Sequence, residues 1–169
     1  MEAAKALDAF SLFPGYKQSQ NDAVSAYTQS FINGVPTYVR LPRNRWPKHW
    51  IGKYVDPVVP LILALYGHPD SGGYWEKHCD ERLKRCGWTP MSDSGWRSCY
   101  YHEEKKAFLI VYVDDFKMAS PEKDHDELWR ELRKQIKLGD PEPPDRFLGC
   151  YSNYFTAKAG DLEAFLKNK

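Results

Sequence analysis

The sequence predicts an α+β domain of split βαβ order: strand, helix, strand, strand, helix, strand. Three observations carry that expectation. Apolar residues recur at helical spacing twice, as Trp75, Cys79, Leu83 and Cys86 and then as Leu128, Trp129, Leu132 and Ile136. Between them Ala107 to Val113 is apolar throughout, the pattern of a strand buried on both faces. That run ends in the doublet Asp114-Asp115, and Phe116 to Ala119 reads as the returning strand.

At 169 residues the chain fits one domain, expected to cover residues 1–169 with one core and no linker. Hydrophobic residues make up 42% and aromatics 15%, which suits a folded globular chain and excludes a disordered tail. The net charge of +1 gives no bulk cationic field, so any nucleic-acid site must be local or completed by other segments. Cys79, Cys86, Cys99 and Cys150 show neither a Cys-x-x-Cys pair nor a zinc spacing and read as thiols in a reducing compartment. The first residues lack the apolar stretch of a signal peptide. The longest apolar run, Val58 to Tyr66, contains Pro60 and falls far short of the ~20 residues that span a bilayer. The expectation is a soluble intracellular protein without a membrane partner.

Element by element, Ala3, Leu7 and Phe10 recur at helical spacing until Pro14-Gly15, predicting a short amphipathic opening helix. A strand ending near Asp22 should follow. Ser25 to Phe31 fits a helical turn or an extended segment equally, and Asn33-Gly34 is a turn signal. Thr37 to Leu41 reads as a strand, Arg40 to Pro57 as an irregular excursion, and residues 58–66 as a brief buried helix. The stripe from Trp75 predicts a helix over residues 71–86, stopped by Gly87. Cys99 to His102 and Ala107 to Val113 should be strands joined by the charged turn 103–106. Ser120-Pro121 reads as a helix start, with Ser as cap and Pro in the first position. Gly139 to Pro144 breaks that helix, and Phe147 to Tyr151 is expected as the last strand. In this ferredoxin-like order the helices pack on one face of an antiparallel sheet, and the other face is left to carry a site.

The chemistry concentrates at Asp114-Asp115. Two carboxylates ~4 Å apart repel by roughly 1–4 kcal/mol, so the pair needs a cation or full solvation. Magnesium, which prefers carboxylate oxygens, water and phosphates, would supply the charge. The plainer alternative is a solvated turn, since Asp is a common turn former. Split βαβ order sets the first strand beside the central hairpin, so Asp22 should approach Asp114 and three carboxylates should converge.

Tyr112-Val113-Asp114-Asp115, in the context Leu-Ile-Val-Tyr-Val-Asp-Asp-Phe-Lys-Met-Ala, resembles the Tyr-x-Asp-Asp motif of copia-type retrotransposon reverse transcriptases. Asp22-Ala-Val-Ser-Ala-Tyr27, Ala64-Leu-Tyr-Gly67 followed by Trp75, and Phe147-Leu148-Gly149 are similar to further motifs of that family, in family order, across roughly residues 3–151. The resemblance implies a polymerase palm acting as an RNA-directed DNA polymerase, with two Mg²⁺ (or Mn²⁺) ions, dNTP, and a primer on an RNA or DNA template. It implies Asp22, Asp114 and Asp115 as catalytic residues, with Ala23 joining the three aspartates around the metal. It places Tyr27, Ala26, Asp70 and Tyr112 near the incoming nucleotide, Tyr27 under the sugar, and Phe147, Leu148 and Gly149 at the primer end. Fingers, thumb and ribonuclease H segments of a polyprotein would complete the enzyme, in the cytoplasm, a virus-like particle or the nucleus.

The alternatives are specific. Tyr27 fits a core tyrosine as well as a sugar-selecting one, and Phe147-Leu148 is ordinary core material. Many family members have a Gln near Asp70, so Asp70 or Ser71 suits a helix cap better than a nucleotide contact. Arg40, Arg43, Arg45 and Lys48, with Trp46 and Trp50 between them, suit a phosphate-facing patch or a solvated loop. Two other readings of the whole are a catalytically inert polymerase relic and an RRM-like nucleic-acid-binding module. The latter reads bases with exposed strand aromatics, a run this chain lacks.

Overall fold

A computed structural model describes residues 2–92, 95–154, 156 and 158 of the chain. The fold is α+β. Helix α1 (Glu2–Phe10) leads into strand β1 (Tyr16–Asp22), and a 3-10 turn follows at Ala26–Gln29. Strands β2 (Tyr38–Arg40) and β3 (Val58–Pro60) bracket the excursion. Then come α2 (Ser71–Arg85), β4 (Thr89–Pro90), β5 (Cys99–His102), β6 (Ala107–Tyr112), β7 (Asp115–Pro121) and α3 (Glu122–Gln135). A small hairpin, β8 (Arg146–Phe147) and β9 (Cys150–Tyr151), follows. The main sheet is five-stranded and antiparallel, in the order β1-β7-β6-β5-β4.

The apolar β6 is central because both its neighbours supply ladder partners and both its faces meet apolar side chains. Ala107, Leu109 and Val111 point into one core with Trp75, Cys79 and Leu83 of α2 and Leu128, Trp129 and Leu132 of α3. Phe108 and Ile110, on the opposite side of the pleat, enter a second core with Leu7 of α1, Cys99, Ala119 and Phe147. The expectation of helices on one face only is therefore corrected: α2 and α3 cover one face, while α1 and the β8–β9 hairpin cover much of the other. Alternation along β6 was hidden because both sets of side chains are apolar.

Four local readings also change. Residues 58–66 form no helix; β-branched Val58 and Val59 pair with β2, and Ala64 alone of this stretch is buried. Leu148 (φ 50°) and Gly149 (φ 80°) form a two-residue turn, so Phe147 to Tyr151 is a hairpin, not one strand. The outer edge of β1 is instead met by residues after α3, through the antiparallel bridges Gln20–Glu142 and Ala23–Leu138. Neither expected serine caps its helix. Asp70 occupies the cap position of α2 without a side-chain bond, and the Ser71 hydroxyl donates to the Leu65 carbonyl at 2.7 Å. Pro121 holds the cap position of α3, and Ser120 turns inward to His125.

That inward turn completes a buried polar chain joining β1, β7 and α3. Trp129 Nε1, which can only donate, bonds the Ser19 hydroxyl at 2.7 Å, and Ser19 meets His125 Nε2 at 2.7 Å. His125 Nδ1 meets Ser120 at 2.6 Å. Burial lowers the His125 pKa to about 4 and the nearby Lys17 charge pushes the same way, so the ring is neutral. Among the described residues no helix is long and apolar enough to cross a membrane. Cys79, Cys86 and Cys99 are free thiols, and burial pushes Cys79 up to about 12, which makes it a packing residue rather than a nucleophile.

Candidate functional site

The β1–β7 ladder sets Asp22 directly across from Asp115, and the β6–β7 ladder sets Tyr112 across from Asp115. Directly paired residues share a face, with Cβ atoms ~4.5–5.5 Å apart, so the three side chains stand in one row at the sheet's end. Asp114 occupies the two-residue turn with Val113. Burial raises the Asp115 pKa, and the charges of Asp22 and Asp114 and a hydrogen bond with Asp22 push it further. Asp22, read from the sequence as remote in order but near in space, does meet the 114–115 turn.

The main chain holds this arrangement from three directions. The Ala23 N–H donates to the Asp114 carbonyl at 2.7 Å, so the strand carrying Asp22 grips the turn itself. Gly139 N–H donates to the Asp22 carbonyl at 2.9 Å. A Cβ on Gly139 would lie 3.2 Å from Asn21 Oδ1, a close approach that favours glycine there. Asn21 in turn accepts from the Asp22 N–H at 2.9 Å and donates to the Gly139 carbonyl at 3.3 Å. From α2, Trp75 Nε1 donates to the Val113 carbonyl at 2.6 Å. Asn21, Gly139 and the indole of Trp75 were not singled out in the sequence as site residues. Gly139 read only as a helix breaker, Trp75 as part of an apolar stripe and of a family-like motif with no role of its own, and Asn21 carried no signal.

Beside the row lies a cavity of about 250 Å³ whose walls include Tyr27, Gly72, Trp75, Tyr112 and Val113. Tyr27 is half-buried, its ring 4.5 Å from that of Tyr66, so it borders the cavity while packing on the core. Ala26 is fully buried and Ala23 nearly so, which limits both to main-chain contacts with any ligand. Asp70 is exposed at the start of α2. Phe147 is buried in the core on the α1 side, with the Lys117 ammonium 5.5 Å over its ring, while Leu148 and Gly149 make the adjoining turn.

Among the described residues no group of three or more His, Cys, Asp or Glu side chains is arranged to hold a metal ion. Asp22 and Asp115 face each other across the β1–β7 ladder, and Asp114 contributes through its charge. The donor set nonetheless fits a hard divalent cation chemically, being carboxylate oxygens whose mutual repulsion raises the proton affinity of one member. No family model matches this sequence, and neither does any curated protein.

Proposed function

We propose that this chain is the palm of an RNA-directed DNA polymerase of the copia-type retrotransposon kind, transferring a nucleotidyl group from dNTP to a primer 3′-hydroxyl. The observation that carries the reading is the pairing of Asp22 with Asp115 across β1 and β7, with Asp114 in the adjoining turn. Tyr112-Val113-Asp114-Asp115 and the other motifs that resemble the family lend support in sequence.

In this reading Asp22, Asp114 and Asp115, with the main chain of Ala23, hold two Mg²⁺ or Mn²⁺ ions. Such ions, when bound, acidify the attacking hydroxyl and neutralise charge on the triphosphate and the departing pyrophosphate. The protein's own contribution is positional. Trp75 and Ala23 fix the turn that carries Asp114, while Asn21 and Gly139 fix the strand end that carries Asp22. Tyr27 lies under the incoming sugar and, with Tyr112, borders the nucleotide. Phe147, Leu148 and Gly149 face the primer end through their main chain. Other segments of a polyprotein supply fingers, thumb and ribonuclease H.

Primer extension on RNA and DNA templates, with this chain alone and with a fingers segment added in trans, tests the proposal. Template-dependent extension that Asp114→Asn abolishes is expected. Tight Mg²⁺ binding without extension in either format would favour the inert relic instead.

A further inference from the structure

Between Asp22 and Asp56 the chain has no acidic residue, yet Arg40, Arg43, Arg45, Lys48 and Lys53 fall in that interval. This segment leaves the site beside Tyr27 as a two-stranded arm. Ala64 N–H donates to Ser30 at 2.9 Å, Ile32 to Ile62 at 2.9 Å and Leu61 to Thr37 at 2.8 Å, after which β2 and β3 pair. At the far end Pro42 and Pro47 each start a 3-10 turn, Arg43–Arg45 and Lys48–Trp50. Trp46 follows the first turn and Trp50 ends the second.

The basic side chains of Arg43, Arg45, Lys48 and Lys53 are exposed, and the aromatic rings stand in sequence beside them. Trp46 lies 6.4 Å from Trp50, and Trp50 lies 5.9 Å from Tyr54, both edge to face. The Arg43 guanidinium sits 5.9 Å over Trp46, whose Nε1 is anchored to the Leu41 carbonyl at 2.9 Å. The ion pair of this arm among the described residues is Arg40–Asp56, at 3.2 Å, so the other four cations have no carboxylate partner there. Two prolines hold the turns in advance, which lowers the ordering cost of binding. Exposed cations without carboxylate partners, interleaved with aromatic rings, match the chemistry of a single strand, whose phosphates need counter-charge and whose bases are free to stack, not of a duplex whose bases are already stacked.

We propose that the end of this arm, Arg43 to Tyr54, binds single-stranded nucleic acid. The polymerase reading adds only that the strand is the unpaired template beside the site; the binding itself needs neither metal nor dNTP. The test uses fluorescence anisotropy of the whole chain with a labelled oligouridine of about 12 nucleotides, against a blunt duplex, over a range of salt. Arg43→Gln, Arg45→Gln and Lys48→Gln together should weaken the oligouridine about tenfold or more and flatten the log-log salt slope by about 2. Trp50→Leu should weaken it with the slope unchanged, and the duplex should bind less tightly than the single strand. The three glutamine changes lie on exposed side chains, and a circular dichroism melt checks that both variants fold. Unchanged affinity and slope in the triple variant would overturn the proposal. So would duplex binding as tight as the single strand, or sedimentation showing that the arm instead joins two copies of the chain. An unaltered chain that extends primers but does not bind the oligouridine would sink this proposal alone; one that binds the oligouridine but never extends a primer would sink the polymerase reading alone.

Discussion

Trp75 and Val113, remote in sequence, meet in a 2.6 Å hydrogen bond from the indole Nε1 to the carbonyl, and the residue so held stands at φ 56°. A β-branched residue in that region is strained, at a cost on the order of 1–3 kcal/mol, and the first position of such a two-residue turn favours glycine. The strain persists because the indole from α2 and the Ala23 N–H on Asp114 determine the turn from both sides. Val113→Gly should therefore raise the melting temperature, by up to the equivalent of ~1 kcal/mol. It should also loosen the Asp114 turn and reduce primer extension, and a lowered melting temperature would show the turn to be unstrained.

The carboxylate row gives a second expectation. Calorimetry should detect Mg²⁺ or Mn²⁺ binding that Asp114→Asn weakens strongly; equal affinity in both proteins would reject the metal site. In metal-free protein the raised Asp115 pKa has a definite sign. The folded state keeps a proton that the unfolded chain releases near pH 3.8, so stability falls as pH rises through the folded value. Asp115→Asn should remove that slope and stabilise the metal-free chain by about 1 kcal/mol at neutral pH, read by urea unfolding.

Tyr27 borders the cavity that Tyr112 and Val113 also line, its ring held against Tyr66. If the incoming sugar lies on it, Tyr27→Ala should relax the preference for dNTP over rNTP in primer extension. An unchanged ratio would leave Tyr27 as a packing residue.

His125 predicts an acid limit on the fold. Its folded pKa, about 4, is depressed from 6.5. Above 6.5 both states are neutral; below it the unfolded chain takes up a proton that the folded ring refuses. Stability should fall between about pH 6.5 and pH 4, by up to roughly 3 kcal/mol in all. Denaturant titrations across this window should show the loss, and His125→Gln should remove most of it while costing about 1–3 kcal/mol at pH 7 through broken hydrogen bonds.

Lys117, 1% exposed on the sheet face under α1, pairs with Asp8 at 2.6 Å. The pair is asymmetric, because Asp8 retains contact with water. Asp8→Ala strands a buried ammonium and should cost about 3 kcal/mol, whereas Lys117→Met removes the charge and should be nearly neutral. Equal losses in thermal melts of the two variants would contradict this account.

Local signals made much of this fold legible. Trp75, Cys79 and Leu83 marked the buried face of α2, and the apolar run 107–113 marked the central strand, because periodicity and burial are properties of short segments. The sequence was misleading where two structures share one composition. Val58 to Tyr66 is apolar enough for a buried helix, but its β-branched start found a ladder partner in β2. Ser120 has the chemistry of a helix cap, yet a buried histidine competed for its hydroxyl.

By itself the sequence determined that Asp114-Asp115 follows a buried strand and that Asp22 ends another, since strand-forming runs and their ends are written in adjacent residues. Only the tertiary structure decided that α1 closes the second face of the sheet, that Asn21, Gly139 and Trp75 brace the carboxylate row, and that residues 138–142 edge β1. Those choices depend on which of several chemically adequate partners comes within a few ångströms once the chain has closed on itself. No short window of residues carries that distance.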